Sequence, residues 1–305
     1  MAALPTTAMA GSRPGKAGAY SVLILIAAYC AIPFLWVLIA SLDSAPSQFL
    51  AWPRGWTLDN YIGIFTRQEG LRWVLNSLLT VGFATLIVIV LGGFGGYALS
   101  RSHGWWKRPF LYTIILIRVI PLPALIVPLY KLMLTGNDGI GALVRGLANP
   151  AHVRAVMQVV GLIDGYLGLI LVLAALQLPL ALWIMKTFFD SIPRDYEEAA
   201  LMDGASLLQR IWRVLIPLAL PGLAAAGLFA FISAWGDFLN PLIFLSSPEL
   251  QTLPLGLFRA YMRINIIDYG FMAALAVIYT LPAVIAFAFA RRFLVRTFSG
   301  GGVKA

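Results

Sequence analysis

Read as apolar and polar positions, the chain falls into six long apolar runs: Tyr20 to Leu42, Asn76 to Leu99, Phe110 to Leu134, Tyr166 to Phe189, Leu218 to Phe244 and Phe271 to Phe293. Each exceeds the about 20 residues that cross a bilayer at about 1.5 Å rise per residue. A backbone in lipid must satisfy its own N–H and C=O groups, and separate runs of this length do so as helices. The pattern therefore predicts an all-α polytopic membrane protein: a six-span domain over 20–293 between polar tails at 1–19 and 294–305. Two intervals stand out, a polar one at 190–217 between the fourth and fifth runs and a long one at 134–165 between the third and fourth.

Composition agrees with the pattern. The chain is 60% hydrophobic and 11% charged, with a mean hydropathy of +0.86, more apolar surface than one soluble core can hide. Charge then orients the spans, because Lys and Arg near a span resist translocation. Arg13, Lys16, Arg101, Lys107, Arg108, Lys186, Arg194, Arg210, Arg213, Arg291, Arg292, Arg296 and Lys304 fall on one side, while the other holds fewer, among them Arg54, Arg67, Arg72 and Arg145. The richer side is expected to be cytoplasmic. An even number of spans puts both termini there, together with 190–217. The net charge of +9 thus needs no nucleic acid as partner. The first run is too long for the roughly 7 to 15 residues of a signal core, so it reads as a retained helix.

Chemistry is hard to find in these residues. Cys30 is the sole cysteine, which excludes an internal disulfide and a cysteine-based metal cluster. No phosphate loop and no H-E-x-x-H occur, and the two histidines, His103 and His152, fall on opposite sides of the membrane. No catalytic residue and no metal ligand is assigned. The glycines of "GGFGG", Gly92 to Gly96, lie inside the second run, where small residues let helices approach closely.

The interval "EEAALMDGASLLQRIWRVLIP", Glu197 to Pro217, reads as a helical hairpin. Pro193 suits a first turn, and Asp195, Glu197 and Glu198 complement the positive end of a helix dipole. That helix is expected to end at Gly204, in the left-handed conformation. Ser206 and Gln209 form a capping box for a second helix, which is expected to stop near Pro217. One reading of the pair is an amphipathic connector resting on the membrane surface.

The other reading comes from a resemblance. Glu198-Ala199-Ala200, three residues, Gly204, nine residues and Val214-Leu215-Ile216-Pro217 resemble the E-A-A-x3-G-x9-I-x-L-P loop of ABC importer permeases, with two mild departures at the end. "TLDNYIGIF", "GYALSR", "RVIPLPALIVPLY", "FFDSIPRDYEEAA" and "RRFLVRTFSGGGVKA" extend it over most of the chain. They resemble carbohydrate-uptake permeases of the maltose and glycerol-phosphate type, in particular the second, six-span permease. The resemblance implies a type I ABC importer permease fold in a bacterial inner membrane. It also implies a second, different permease, two ATPase subunits and an external solute-binding protein as partners, and transport by alternating access. Glu198, Ala199, Ala200, Asp203 and Gly204 would couple to the ATPase, on which ATP with Mg would act, this chain binding no cofactor. The C-terminal tail would reach the ATPase interface.

This chain departs from the family in two places. Where the family often has Trp-Asn-Glu-Phe, it reads Trp235-Gly236-Asp237-Phe238. The interval 134–165 replaces a brief turn and reads as two short external helices, expected to meet the binding protein or the partner permease. Ionisable residues within spans invite a functional reading. Arg118, roughly 12 Å into its span by helical rise, reads as a structural charge that caps carbonyls near the break at Pro121 and Pro123. Trp235, Asp237 and Asn240, roughly 28 Å from the start of theirs, sit near the outer mouth, as a sugar contact on the translocation path or as a gate. A non-sugar solute such as a polyamine or phosphate is the alternative, and a secondary transporter the remote one. The halves show no internal repeat to support the latter.

Overall fold

Long apolar helices, bundled through small residues, organise the computed structural model, which describes residues 16–47, 49, 51–66, 68–147, 149, 152–262 and 268–300. Five helical segments are long and apolar enough to cross a membrane, and six if a bent pair counts as one span. They are α1 (Lys16–Ser41), α3 (Gln68–Arg101), α7 (Tyr166–Asp190), α10 (Ile216–Trp235) together with the turns before it, and α13 (Tyr269–Gly300). The bent pair is α4 (Lys107–Leu116), with a 3-10 turn at Ile117–Val119, and α5 (Leu122–Leu147). Shorter elements are α2 (Asp59–Thr66), α6 (Val153–Val160), α8 (Asp195–Met202), α9 (Leu207–Arg210), α11 (Leu239–Phe244) and α12 (Leu253–Tyr261).

The core is the packing of α3, α7 and α10 on one another, with α13 against α10 and α1 against α13. In lipid no hydrophobic force drives helices together, so close van der Waals approach has to do it. The "GGFGG" segment supplies that approach. A Cβ on Gly92 would lie 3.0 Å from the Ala181 Cβ, and one on Gly96 would lie 2.9 Å from the Lys186 backbone nitrogen. Leu169, Leu173, Met185, Ala219, Ala226 and Leu275 fill the seams, fully buried. By contrast α1 presents Leu23, Ile24, Leu25 and Phe34 outward, each more than half exposed, as a lipid-facing helix does.

Three element boundaries differ from those the apolar runs predict. The third run itself breaks where Pro121 and Pro123 are expected to interrupt it: its halves bend by 104° between Val119 and Pro123, since neither proline can continue the ladder. Helix α5 then passes position 134 without a break and ends only at Leu147, so the first half of the 134–165 interval continues a span and only α6 is separate. The second hairpin helix does not stop at Pro217. It passes through a π-turn at Ile211–Leu215, where the Ile216 N–H reaches back to the Ile211 carbonyl, and runs on into α10. Shifting the register by one residue just before Pro217 relieves the clash that a regular turn would suffer there. Finally, α13 extends to Gly300, past the predicted end at Phe293; residues 301–305 and 1–15 lie outside the described residues.

At the end of the bundle away from the hairpin, amides and hydroxyls hold the connecting loops. Asn76 on α3 donates to the carbonyls of Glu249 and Gln251 and accepts from the Tyr166 hydroxyl at 2.8 Å. The Leu253 N–H donates to the Ser77 hydroxyl, and Asp164 accepts from the N–H groups of Ser246 and Ser247. The bonds to the Gln251 carbonyl and the Leu253 N–H spare buried backbone groups from standing unpaired.

Candidate functional site

The hairpin forms where helix signals are strongest. Three acids occupy the first turn of α8, at Asp195, Glu197 and Glu198. Gly204 adopts φ +77, the left-handed corner that ends the helix. Its substitution meets no atom within 4 Å, so backbone conformation and not space requires glycine there. Ser206 then caps α9: its hydroxyl accepts from the Gln209 N–H at 3.4 Å, and the Gln209 side chain accepts from the Ser206 N–H at 2.8 Å.

What fixes α8 to the bundle is a charge clamp. The Arg101 Nε, at the end of α3, donates to Glu197 Oε1 at 2.5 Å. The Tyr97 hydroxyl donates to Glu197 Oε2 at 3.0 Å. The same guanidinium also donates to the carbonyls of Phe189 and Ile192, so it holds the end of α7 as well. The pair is nearly closed to solvent, the two side chains being 16% and 11% exposed, and all the strong acceptors around the guanidinium are used. Beside it Lys186 pairs with Asp190, which accepts from the Ser100 hydroxyl. Three helices thus meet in one ionic knot.

The predicted coupling residues lie on the other face. Glu198, Ala199, Asp203 and Gly204 are exposed and Ala200 is half-buried, while Met202 is 87% exposed. Glu197 is the inward-facing member, and sequence reasoning gave it no role beyond the helix dipole. Its partner Arg101 stands 96 residues away in the chain, and the only trace of it was the "GYALSR" resemblance.

The remaining candidates sit apart from this site. Trp235 is buried, stacked between Phe231 and Tyr279, and its indole donates to the Tyr279 carbonyl at 2.8 Å. Asp237 occupies the break between α10 and α11; its carboxylate accepts from the Asn240 N–H at 3.0 Å and from the Asn240 side-chain amide at 2.6 Å. Asn240 is fully buried, and its own carbonyl oxygen finds no partner. Arg118 lies in the 3-10 turn at the bend. It reaches across to the Gln177 side chain on α7, at 3.4 Å.

Comparison with known proteins follows this geometry. Residues 88–299 match the family described as binding-protein-dependent transport system inner membrane component. The chain is 31% identical over 298 residues to the inner membrane ABC transporter permease protein YcjP of Escherichia coli, covering 95% of this chain and 96% of that protein. It is 30% identical to the trehalose transport system permease protein SugB of Mycobacterium tuberculosis, covering 92% and 94%. In three dimensions it resembles a bacterial ABC transporter that imports the acidic polysaccharide alginate, with a TM-score of 0.68 at 23% identity over 90% of this chain and 94% of that one. That likeness is one of fold, the fold of a type I ABC importer permease. The match over most of the chain, with membrane-length helices along it, shows that the chain belongs to the binding-protein-dependent inner membrane permeases, the transport subunits of ABC importers.

Proposed function

We propose that this chain is one of two different permeases in an importer of a sugar, oligosaccharide or related polyol, and that α8 docks into a groove on a separate ATPase subunit. The observation that carries the docking is the division of α8 into two faces. Glu197 is tied to α3 from below, Glu198 is exposed at the rim of the cavity that Glu197 and Arg210 line, and Ala199, Asp203 and Gly204 are bare above. A short helix held rigidly and left uncovered suits the transfer of movement from a partner, and its small alanines let a partner backbone come close. Two copies of the ATPase, binding ATP with Mg, would draw the hairpins of the two permeases together and open the path outward by alternating access. Both termini and 190–217 would then face the cytoplasm.

The sugar class is supported by the trehalose permease among the relatives. An external solute-binding protein would deliver the solute, and the segment 134–165, with α6 and the end of α5, would meet that protein or the partner permease. For Trp235, Asp237 and Asn240 the gate reading is favoured over solute contact, because the indole N–H already ties α10 to α13 and both Asp237 oxygens already serve the α10–α11 break. Uptake by proteoliposomes tests the whole. Labelled disaccharides, spermidine and phosphate are offered to this chain alone and to the complete assembly with binding protein and ATP. Sugar uptake by the complete assembly only is expected. Uptake of spermidine or phosphate would replace the solute class, and uptake by the lone chain would replace the ABC mechanism with secondary transport.

A further inference from the structure

Two cavities flank Tyr97, and together they have the chemistry of an anionic lipid. The first is an apolar slot of about 140 Å³ between α3, the π-turn and α10, lined by Ile89, Gly93, Phe94, Leu215 and Leu223. Val90 and Phe94, at its rim, are each 43% exposed, and Trp212 beside them is 59% exposed. Trp favours the boundary between hydrocarbon and headgroups, which suits Trp212 to the mouth of a slot reached from one leaflet. The second is a polar cavity of about 190 Å³ that Tyr97 shares, lined by Arg101, Arg194, Glu197, Glu198, Leu201 and Arg210.

Charge within the polar cavity is not balanced. Glu197 is committed to Arg101 and to the Tyr97 hydroxyl. The Arg194 guanidinium lies 3.2 Å from the His103 ring. That leaves Arg210, whose Nε is buried and has no hydrogen-bond partner, opposite Glu198. A buried guanidinium N–H without an acceptor is costly and calls for an anion with oxygen acceptors. Arg213, three residues on and exposed, adds a second positive group on the same segment.

We propose that the structure holds a binding site for one anionic phospholipid, its acyl chain in the Ile89–Leu223 slot and its phosphate on Arg210. A lipid fits better than a protein segment because the apolar slot and the polar cavity that holds the unsatisfied Arg210 Nε border the same residue, Tyr97, as the chain and headgroup of one phospholipid would require. The site lies against the π-turn that joins the hairpin to α10. Its occupancy therefore props the segment through which movement of α8 would pass, and the leaflet's charge would tune coupling.

Native mass spectrometry of the complete transporter, extracted from membranes containing phosphatidylglycerol and phosphatidylcholine, tests this directly. The wild-type complex is expected to retain one phosphatidylglycerol in preference to phosphatidylcholine. Arg210→Gln should weaken that retention about fivefold, the worth of one basic residue near an anionic headgroup. Val90→Trp, which plugs the slot without touching the clamp, should weaken it too and keeps the test open if Arg210→Gln fails to assemble. Equal retention of both lipids, or unchanged retention in both variants, would overturn the site. So would efficient cross-linking of Val90→Cys to the partner permease, which would show the slot filled by protein. Retention is read without transport, so the result stands apart from the solute class.

Discussion

The two ends of the bundle are held by different chemistry. At the hairpin end charged side chains join the helices: Arg101 on α3 grips Glu197 on α8 and the Phe189 carbonyl of α7, and Asp190 on α7, paired with Lys186 of the same helix, accepts from Ser100 on α3. At the opposite end the bonds go mainly to loop backbone: Asn76 on α3 holds the carbonyls of Glu249 and Gln251, the Ser77 hydroxyl holds the Leu253 N–H, and Asp164, just before α7, holds the N–H groups of Ser246 and Ser247. The difference suits what each end holds. A guanidinium with five donors can grip a carboxylate and two helix-end carbonyls at once, and so bind separate helices into one body that transmits force. Amide and hydroxyl groups instead fix the path of one loop.

Breaking the clamp should have the largest effect. Glu197→Ala leaves the Arg101 guanidinium nearly buried and unpaired, a loss of about 3 to 5 kcal/mol by the usual behaviour of such pairs. A large fall in the melting temperature of the purified complex is expected, together with loss of the ATPase on co-purification. Retained ATPase would show that α8 is held by something other than Arg101.

At the other end, Asn76→Ala orphans two loop carbonyls and the Tyr166 hydroxyl. A cost of about 1 to 3 kcal/mol is expected. Here the ATPase should stay bound, and stimulation by binding protein should fall. If the ATPase dissociates in this variant as well, the two ends are not separable and the comparison collapses.

Gly204→Val sharpens the hairpin side. With no neighbour to clash, its cost comes only from the left-handed backbone at φ +77, and is about 1 to 3 kcal/mol for a β-branched residue. The effect should fall on ATPase retention and leave insertion and bundle stability nearly unchanged. Wild-type retention would remove the corner from the docking surface. The smallest effect belongs to Arg154→Ala at the outer end. Its contact with Glu249 spans 4.0 Å with the arginine side chain 78% exposed, and exposed pairs of this kind contribute between 0 and about 1 kcal/mol. A measurable shift in melting temperature would mean that α6 is anchored through this pair.

The hairpin was readable because its signals are local. Acids in a first turn, glycine at a left-handed corner and a serine three residues before a glutamine all act within a few residues, and α8, Gly204 and the Ser206 cap follow from them. Pro217 shows the limit. Proline's local rule says that a helix stops, yet the π-turn before it lets the helix pass into α10, since packing of Leu215 and Ala219 in the bundle favours a continuous element. Likewise Gly136, Gly139 and Gly141 predict a break in the third run's extension, and α5 runs through them.

Sequence by itself determined the membrane class, the number and order of apolar runs and the presence of the polar hairpin, because bilayer thickness and helix capping both act on contiguous residues. The tertiary structure alone decided which face of α8 is gripped and which is free, that Arg118 meets Gln177, and that Arg210 is left without an acceptor beside an apolar slot. These depend on side chains brought together from distant segments. A pair such as Arg101 and Glu197 leaves no periodicity and no spacing rule in the chain, since its strength comes from burial and geometry that exist only after α3, α7 and α8 have packed.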